Sequence, residues 1–398
     1  MRKLPGKSGV PEPKSAKPSS PAGLSESAKP SQPAGLTESA KPSPMARLME
    51  GGRTRSVMIS LIAVLFGLLA GAVMMLLVGA NPITGYVYLF RGGLMNMERI
   101  GNTLATATPI IFSGLAVAFA FRTGMFNIGA AGQMLAGGFC ATAAGILLPL
   151  PKPLLLPVVC IAALIGGALW AFIPGLLKAR FNVHEVVSTI MMNWIAYWGV
   201  YSGVKQWFLG PTIETESRRI PDAASLKVQW LTDLFNGSFI NLGLFVAVLV
   251  VILTAFILDR TVLGYELKAV GFNRHAAEYA GIDVNRGIIL AMLISGGLAG
   301  LGGAALYAGY AANIQIGILP NQGFDGIAVS LLGANSPWGV LASAIFFGIL
   351  QSGKGFMNAM TKVPPELADT IIATIIYFAA TSVLIERLLS PRHGKGGN

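Results

Sequence analysis

Charge is scarce in this 398-residue chain: Asp, Glu, Lys and Arg make up 12%, against 53% hydrophobic residues and a mean hydropathy of +0.63. That balance excludes a soluble globular domain of ordinary composition. Cysteine is scarcer still, with only Cys140 and Cys160, both in apolar runs with no CxxC spacing and no histidine beside them. A disulfide framework and a thiolate metal site are thereby excluded, which leaves core packing for both. The three histidines, His184, His275 and His393, fall in expected loops or in the C-terminal tail, and no HExxH, GxSxG or Walker sequence occurs. The residues therefore offer no catalytic constellation and no means of hydrolysing ATP. The glycine cluster GGLAGLGGAA at 296–305 lacks the strand and the acidic partner of a dinucleotide loop, and reads as helix packing. Acidic relays of the proton- or sodium-coupled kind are missing from mid-span positions, since Glu185 and Asp369 lie near span ends. That argues against an ion-coupled secondary transporter.

What is present is a series of long uncharged runs, each able to cross the hydrocarbon core as a helix that satisfies its own backbone. They lie at 56–90, 100–121, 123–151, 153–177, 186–204, 234–258, 287–324, 326–353 and 370–385. The run at 326–353 carries the turn signal Gly333-Ala-Asn-Ser-Pro337 and divides into a short helix, a hairpin and a second helix. Counting it twice predicts an all-α polytopic membrane protein of about ten spans, with short or interrupted helices. An even count puts both termini on one side. Arg47, Arg53 and Arg55 on one flank and Arg387, Arg392 and Lys395 on the other place that side in the cytoplasm. The formal charge of +11 does not imply nucleic acid, because ten of the 29 Lys and Arg residues precede Val57, where anionic lipid headgroups are the nearest partner.

Residues 1–52 read as a separate cytoplasmic tail and residues 53–390 as the transmembrane domain. The tail repeats a 12-residue unit three times, Ser15 to Glu26, Ser27 to Glu38 and a decayed copy from Ser39 to Glu50, rich in Pro, Ser, Lys and Ala. Such a segment cannot bury enough apolar surface to fold, and no signal-peptide pattern precedes Val57. Asn81-Pro82 ends the first span, and the segment after it, with Tyr86 and Tyr88, reads as interfacial. Residues 205–233 form the largest outer loop, with Trp207 and Trp230 flanking Glu214, Glu216, Arg218 and Arg219.

Two features carry functional weight. The first is the charged island 259–286 between apolar blocks, in which Asn273 caps a short helix, Gly281 stops it, and Ala276, Ala277 and Ala280 leave a low-relief surface. It reads as a docking knob for a soluble partner, with a plain solvated loop as the alternative. The second is a set of polar residues inside spans: Asn127 and Gln133 among several glycines, Asn193 beside Trp194, and Asp325. Each costs free energy in lipid and marks either a solute pathway or a cap across a broken helix. Amides with aromatic neighbours suit an uncharged solute bearing hydroxyls or a ring.

The series FRTGMFNIGAAGQMLAGG (121–138), LKARFNVHEVVSTIMMNWIA (177–196), ELKAVGFNRHAAEYAGIDVNR (266–286) and GFDGIAVSLLGANSPWG (323–339) resembles permease subunits of bacterial ABC importers. The branch is the one serving ribose-type sugars, nucleosides and branched-chain amino acids. NIGAAGQ together with HEVVSTIMMNWIA looks most like the nucleoside permeases that depend on a BMP-type lipoprotein. The resemblance runs from about residue 53 to 387 and leaves the repeated tail unexplained. It implies a non-enzymatic transport subunit with no bound cofactor, working with a tandem-domain ATPase that holds ATP and Mg, a second permease (paralogue or self) and a substrate-binding lipoprotein. By the same resemblance the ATPase contact falls within 264–286, at Gly264, Gly271, Asn273, Arg274, Ala276, Ala277, Glu278, Tyr279, Ala280 and Gly281. An ion-coupled carrier, or a structural or signalling membrane subunit, is the rival from outside the class.

Overall fold

The computed structural model describes residues 52–211, 213–361 and 363–380. The 12-residue repeats and the basic C-terminal flank lie outside the described residues. Among those described, the chain is helical almost throughout, with isolated bridges at Leu209–Ser217 and Glu216–Gln315 in place of any extended strand. An all-α membrane architecture is what the apolar runs predict.

Helix α1 (Gly52–Leu77) meets α2 (Pro82–Leu94) at a bend of 119°. The break falls at Asn81-Pro82, as the sequence suggests. Asn81 Oδ1 accepts the Ile83 amide at 3.0 Å, and proline at the first helical position gives up no hydrogen bond. Next comes α3 (Met97–Arg122), in which every residue from Ala107 to Ala120 is buried. A helix that is apolar all round can only be a central one. Helices α4 (Ala130–Leu147) and α5 (Lys152–Phe181) follow, and α5 ends at Asn182 in a left-handed turn (φ 50°) before α6 (Glu185–Gly203). Lys178 and Glu185 pair across that turn at 2.9 Å.

A π-helical turn (Val204–Phe208) leads into a long connection holding the short α7 (Gln229–Leu234). Helix α8 (Gly243–Arg260) then crosses to the opposite face, where α9 (Val262–Phe272) and α10 (Arg274–Tyr279) lie, and α11 (Val284–Ala304) returns, ending in a second π-helical segment, Ala305–Ala311. Helix α12 (Asn321–Leu332), α13 (Pro337–Met360) and α14 (Pro365–Ala380) complete the described chain. Ala334 (φ 52°) and Asn335 (φ 53°) turn the chain between α12 and α13 at the Gly333–Pro337 signal.

Small residues let α4, α5 and α11 touch backbone to backbone. A methyl group on Gly300 would strike the Ala163 carbonyl, one on Gly296 the Gly167 carbonyl, and one on Gly303 the Met134 carbonyl. The Gly296/Gly300 spacing is thus the close helix contact that it suggests.

Fewer than ten of the described helices are long and apolar enough to span by length and composition alone. Among the described residues six helices (α3, α4, α5, α8, α11 with its π-helical end, and α13) meet that measure, or seven if the bent α1–α2 pair is one span. The difference has physical causes. Helix α12 has only 12 residues and α2 only 13, whereas α6 has 19 but carries Asn193, two serines, a threonine and four Trp or Tyr side chains that lower its hydropathy. Several spans read from charge spacing alone are therefore half-helices or polar helices.

Candidate functional site

The α8–α11 connection folds locally as its residues dictate. Thr261 Oγ1 caps α9 by accepting the Gly264 amide at 3.1 Å, and Asn273, in extended backbone, caps α10 by accepting the Ala276 amide at 3.1 Å. At the far end Gly281 adopts φ 83°, and the Ile282 amide donates back to the Ala277 carbonyl at 3.0 Å. That is the glycine closure expected at a helix C-terminus.

Which faces are presented differs from the expectation. Ala276, Glu278 and Ala280 are exposed, but Ala277 is buried at 3%, because the closure turns its methyl into the body. Gly264 and Gly271 also face inward: a methyl group on Gly264 would strike the Ile257 carbonyl of α8, and one on Gly271 the Arg122 carbonyl at the end of α3. Arg274 lies 3.6 Å from Met125 Sδ. The surface instead presents two aromatic tips, Phe272 at 91% exposure and Tyr279 at 95%. Tyr279 falls within the predicted contact set. Phe272 does not, although a phenylalanine just before a polar helix cap in a charged island is a legible sign of an outward apolar group.

Of the polar residues expected inside spans, three cluster at the start of α4. Asn127 Nδ2 donates to Gln133 Oε1 and to Ser295 Oγ, both at 2.8 Å, while Asn127 Oδ1 accepts from the Gly129 amide at 2.9 Å and from Gln133 Nε2 at 3.0 Å. Ser295 in turn donates to the Ala116 carbonyl at 2.7 Å, tying α11 to α3. From α6, Asn193 Oδ1 accepts the Gly132 amide at 2.8 Å and its Nδ2 donates to the Ile128 carbonyl at 3.0 Å. All three amides are buried and bonded to protein. They supply, from outside, the caps that the interrupted backbone at 123–129 needs. Trp194 is separate, half-exposed on the flank of α6 with its ring edge on Tyr197.

Asp325 lies in another place, a polar recess that sequence reading does not assemble. A cavity of about 450 Å³ is bounded by Thr106, Gln322, Asp325, Gln351 and Lys354, with Lys354 paired to Asp369 at 2.8 Å. A second cavity of about 420 Å³ shares Thr106, Gln322, Gln351 and Lys354 with it. A third, about 870 Å³, lies under the 205–228 loop among Glu216, Arg218, Arg219 and Lys227, and meets the second at Phe239 and Tyr310. Each is of the size that holds a small-molecule ligand. Lys227 sits 4.6 Å over the Phe239 ring, and burial, then the neighbouring Arg219 charge, hold its ammonium below the ordinary lysine range. The polar residues Asn102, Thr106, Gln322, Gln351 and Lys354 escape prediction because they come from three helices far apart in sequence. Their one signal is the i, i+4 pair Asn102/Thr106 on α3. Among the described residues no three His, Cys, Asp or Glu side chains gather as metal ligands.

A polytopic helical protein with half-helices, a polar recess reached from one face and a capped helical projection on the other has the organisation of a transport subunit. The family profile described as "Branched-chain amino acid transport system / permease component" matches residues 99–380, and the chain belongs to that family. It is 42% identical to the guanosine ABC transporter permease protein NupP of Bacillus subtilis over 87% of this chain and 99% of the relative. It is 40% identical to the nucleoside ABC transporter permease protein NupB of Lactococcus lactis over 85% of this chain and 94% of the relative. A glucose ABC transporter permease protein, TsgB13 of Haloferax volcanii, is 32% identical over 82% and 87%. NupQ, a second guanosine ABC transporter permease protein of the same Bacillus strain, is 27% identical over 73% and 92%.

Proposed function

We propose that this chain is the permease subunit of an ATP-driven importer of nucleosides. The observation that carries the substrate class is the similarity, over nearly the whole of both chains, to permeases named for guanosine and for nucleosides, well above that to the glucose permease. The chain supplies the route, while ATP and Mg are held by a separate ATPase subunit. The other partners are a second, paralogous permease, for which the NupP and NupQ pair is the precedent, and a substrate-binding lipoprotein outside the cell.

In this reading α9 and α10 face the cytoplasm and dock in the ATPase, with Phe272 and Tyr279 as anchors, and both termini lie on that side. Displacement of α9 and α10 is passed on through Gly271 of α9 against Arg122 and Arg274 of α10 against Met125, contacts that lead to the end of α3 and the connection before α4. Solute moves through the recess that contains Asp325. The Asn127–Gln133–Asn193 cluster holds the broken helix beside it rather than touching solute.

Deletion of the encoding gene in its native host, with uptake of labelled guanosine, uridine, ribose and leucine measured in parallel, tests the proposal. Loss of nucleoside uptake alone is expected. Loss of ribose or leucine uptake with intact nucleoside uptake would contradict it, as would nucleoside uptake abolished by an uncoupler but insensitive to ATP depletion.

A further inference from the structure

Two of the cavities meet at a pair of aromatic rings. Phe239 and Tyr310 are 5.6 Å apart between centroids, tilted by 55°, and both border the cavity under the 205–228 loop and the cavity beyond it. Both are large apolar side chains left substantially exposed, at 48% and 38%, within a concave surface. A solute passing from one cavity to the other meets these rings.

The pair is built rather than incidental. Tyr310 stands in the π-helical segment Ala305–Ala311, which ends at Ala312 in a left-handed turn (φ 63°). Such irregular helix re-aims side chains, and it concentrates at functional sites. The outer loop clamps this segment through its backbone: the Leu226 amide donates to the Ala308 carbonyl at 2.9 Å, and the Ile220 amide to the Ala312 carbonyl at 2.9 Å. Phe239 is fixed from the other side, its amide donating to Asn102 Oδ1 of α3 at 2.9 Å. Beyond the rings, the side-chain amides of Gln322 and Gln351 border the inner cavities and make no hydrogen bond with protein among the described residues. Donors and acceptors that nearby amides such as Asn127 and Asn193 spend on protein are here turned to the cavity.

We propose that Phe239 and Tyr310 form a stacking platform for the flat ring of a nucleobase in transit, and that Gln322 and Gln351 take its polar edge or the sugar hydroxyls. The inference rests on the proposed nucleoside function and adds the residues that would favour a ring-bearing solute over a ring-less sugar. Every base has a π face, so the platform accepts purines and pyrimidines alike, while the amides set hydrogen bonding.

The test uses the assembled permease complex in nanodiscs without its lipoprotein, so that the affinity read is that of the membrane site, with tritiated guanosine and ribose as probes. Tyr310→Leu and Phe239→Leu should each weaken guanosine binding by roughly 5- to 150-fold, the loss expected for one base–aromatic stack. Tyr310→Phe should keep it, and ribose binding should not change. Should a leucine variant fail to assemble, Tyr310→Trp supplies a second measurement: guanosine should quench its fluorescence, ribose should not. Wild-type complex that binds no guanosine at millimolar concentration, leucine variants with unchanged affinity, or equal losses for guanosine and ribose would each overturn the platform. These outcomes are separable from failure of the proposed function, in which the intact system imports no nucleoside.

Discussion

Asn127→Ala separates a structural role for the buried amide cluster from a role in contacting solute. Asn127 makes four hydrogen bonds, two with the Gln133 side chain and one each with Ser295 and the Gly129 amide, at 2.8–3.0 Å. It is 0% exposed and Gln133 is 1% exposed, so water cannot replace the lost partners. Hydrogen bonds inside membrane proteins contribute about 0.6 kcal/mol on average and those of soluble proteins about 1 kcal/mol, so losing four costs about 2–4 kcal/mol. At on the order of 2 °C per kcal/mol for a domain of this size, Tm should fall by about 4–8 °C. Gln133→Ala removes two of the four and should cost about half as much. The double variant should cost less than the sum, because the two residues share bonds. Thermal unfolding in detergent, followed by loss of monodisperse protein, measures all three. The reasoning is refuted if Asn127→Ala keeps the parent Tm while nucleoside selectivity changes, for then the amide serves solute rather than fold.

Tyr279→Ala and Phe272→Ala remove side chains that touch little of this chain, so stability should change by no more than about 0.5 kcal/mol, while co-purification with the ATPase and ATP-driven uptake should be lost. Variants that still import at the parent rate would count against the docking role. Gly300→Val forces a branched side chain onto the Ala163 carbonyl and should destabilise by about 1–3 kcal/mol or more, seen as aggregation on gel filtration. For Glu185, burial works to raise the carboxyl pKa, but the hydrogen bond and charge of Lys178 outweigh it, leaving the folded pKa below the ordinary 4.5. A depressed folded pKa contributes stability above the unfolded value and loses it as pH falls through the folded one. Thermal stability should therefore drop on acidification in that range, and Glu185→Gln should flatten the drop. An unchanged acid profile in the variant would show that the pair contributes nothing.

Much of the fold is legible because its determinants are local. Apolar runs between charges give the helices, Asn81-Pro82 gives the bend, Gly333–Pro337 gives the hairpin, and Asn273 with Gly281 gives the capped α10. What is not legible depends on which way a side chain faces after packing. Ala277 reads as surface in a polar segment and is buried, because the closure at Gly281 turns its methyl into the body. Asn127, Gln133 and Asn193 carry the same chemistry whether they meet solute or cap a backbone, and only their partners' positions separate the two. The recess escapes sequence reading for a third reason: Phe239, Tyr310, Gln322 and Gln351 come from a loop, a π-helical segment and two helices, joined only by tertiary structure.

The central claim is that this chain conducts nucleosides under the drive of a separate ATPase. Its most direct test is uptake of labelled guanosine into proteoliposomes holding this permease with its partner permease and ATPase, with the lipoprotein added outside and ATP trapped within. The expected result is guanosine accumulation that needs ATP hydrolysis and persists when ion gradients are collapsed. Accumulation of ribose or leucine in place of guanosine, or guanosine uptake driven by an ion gradient without ATP, would contradict the account.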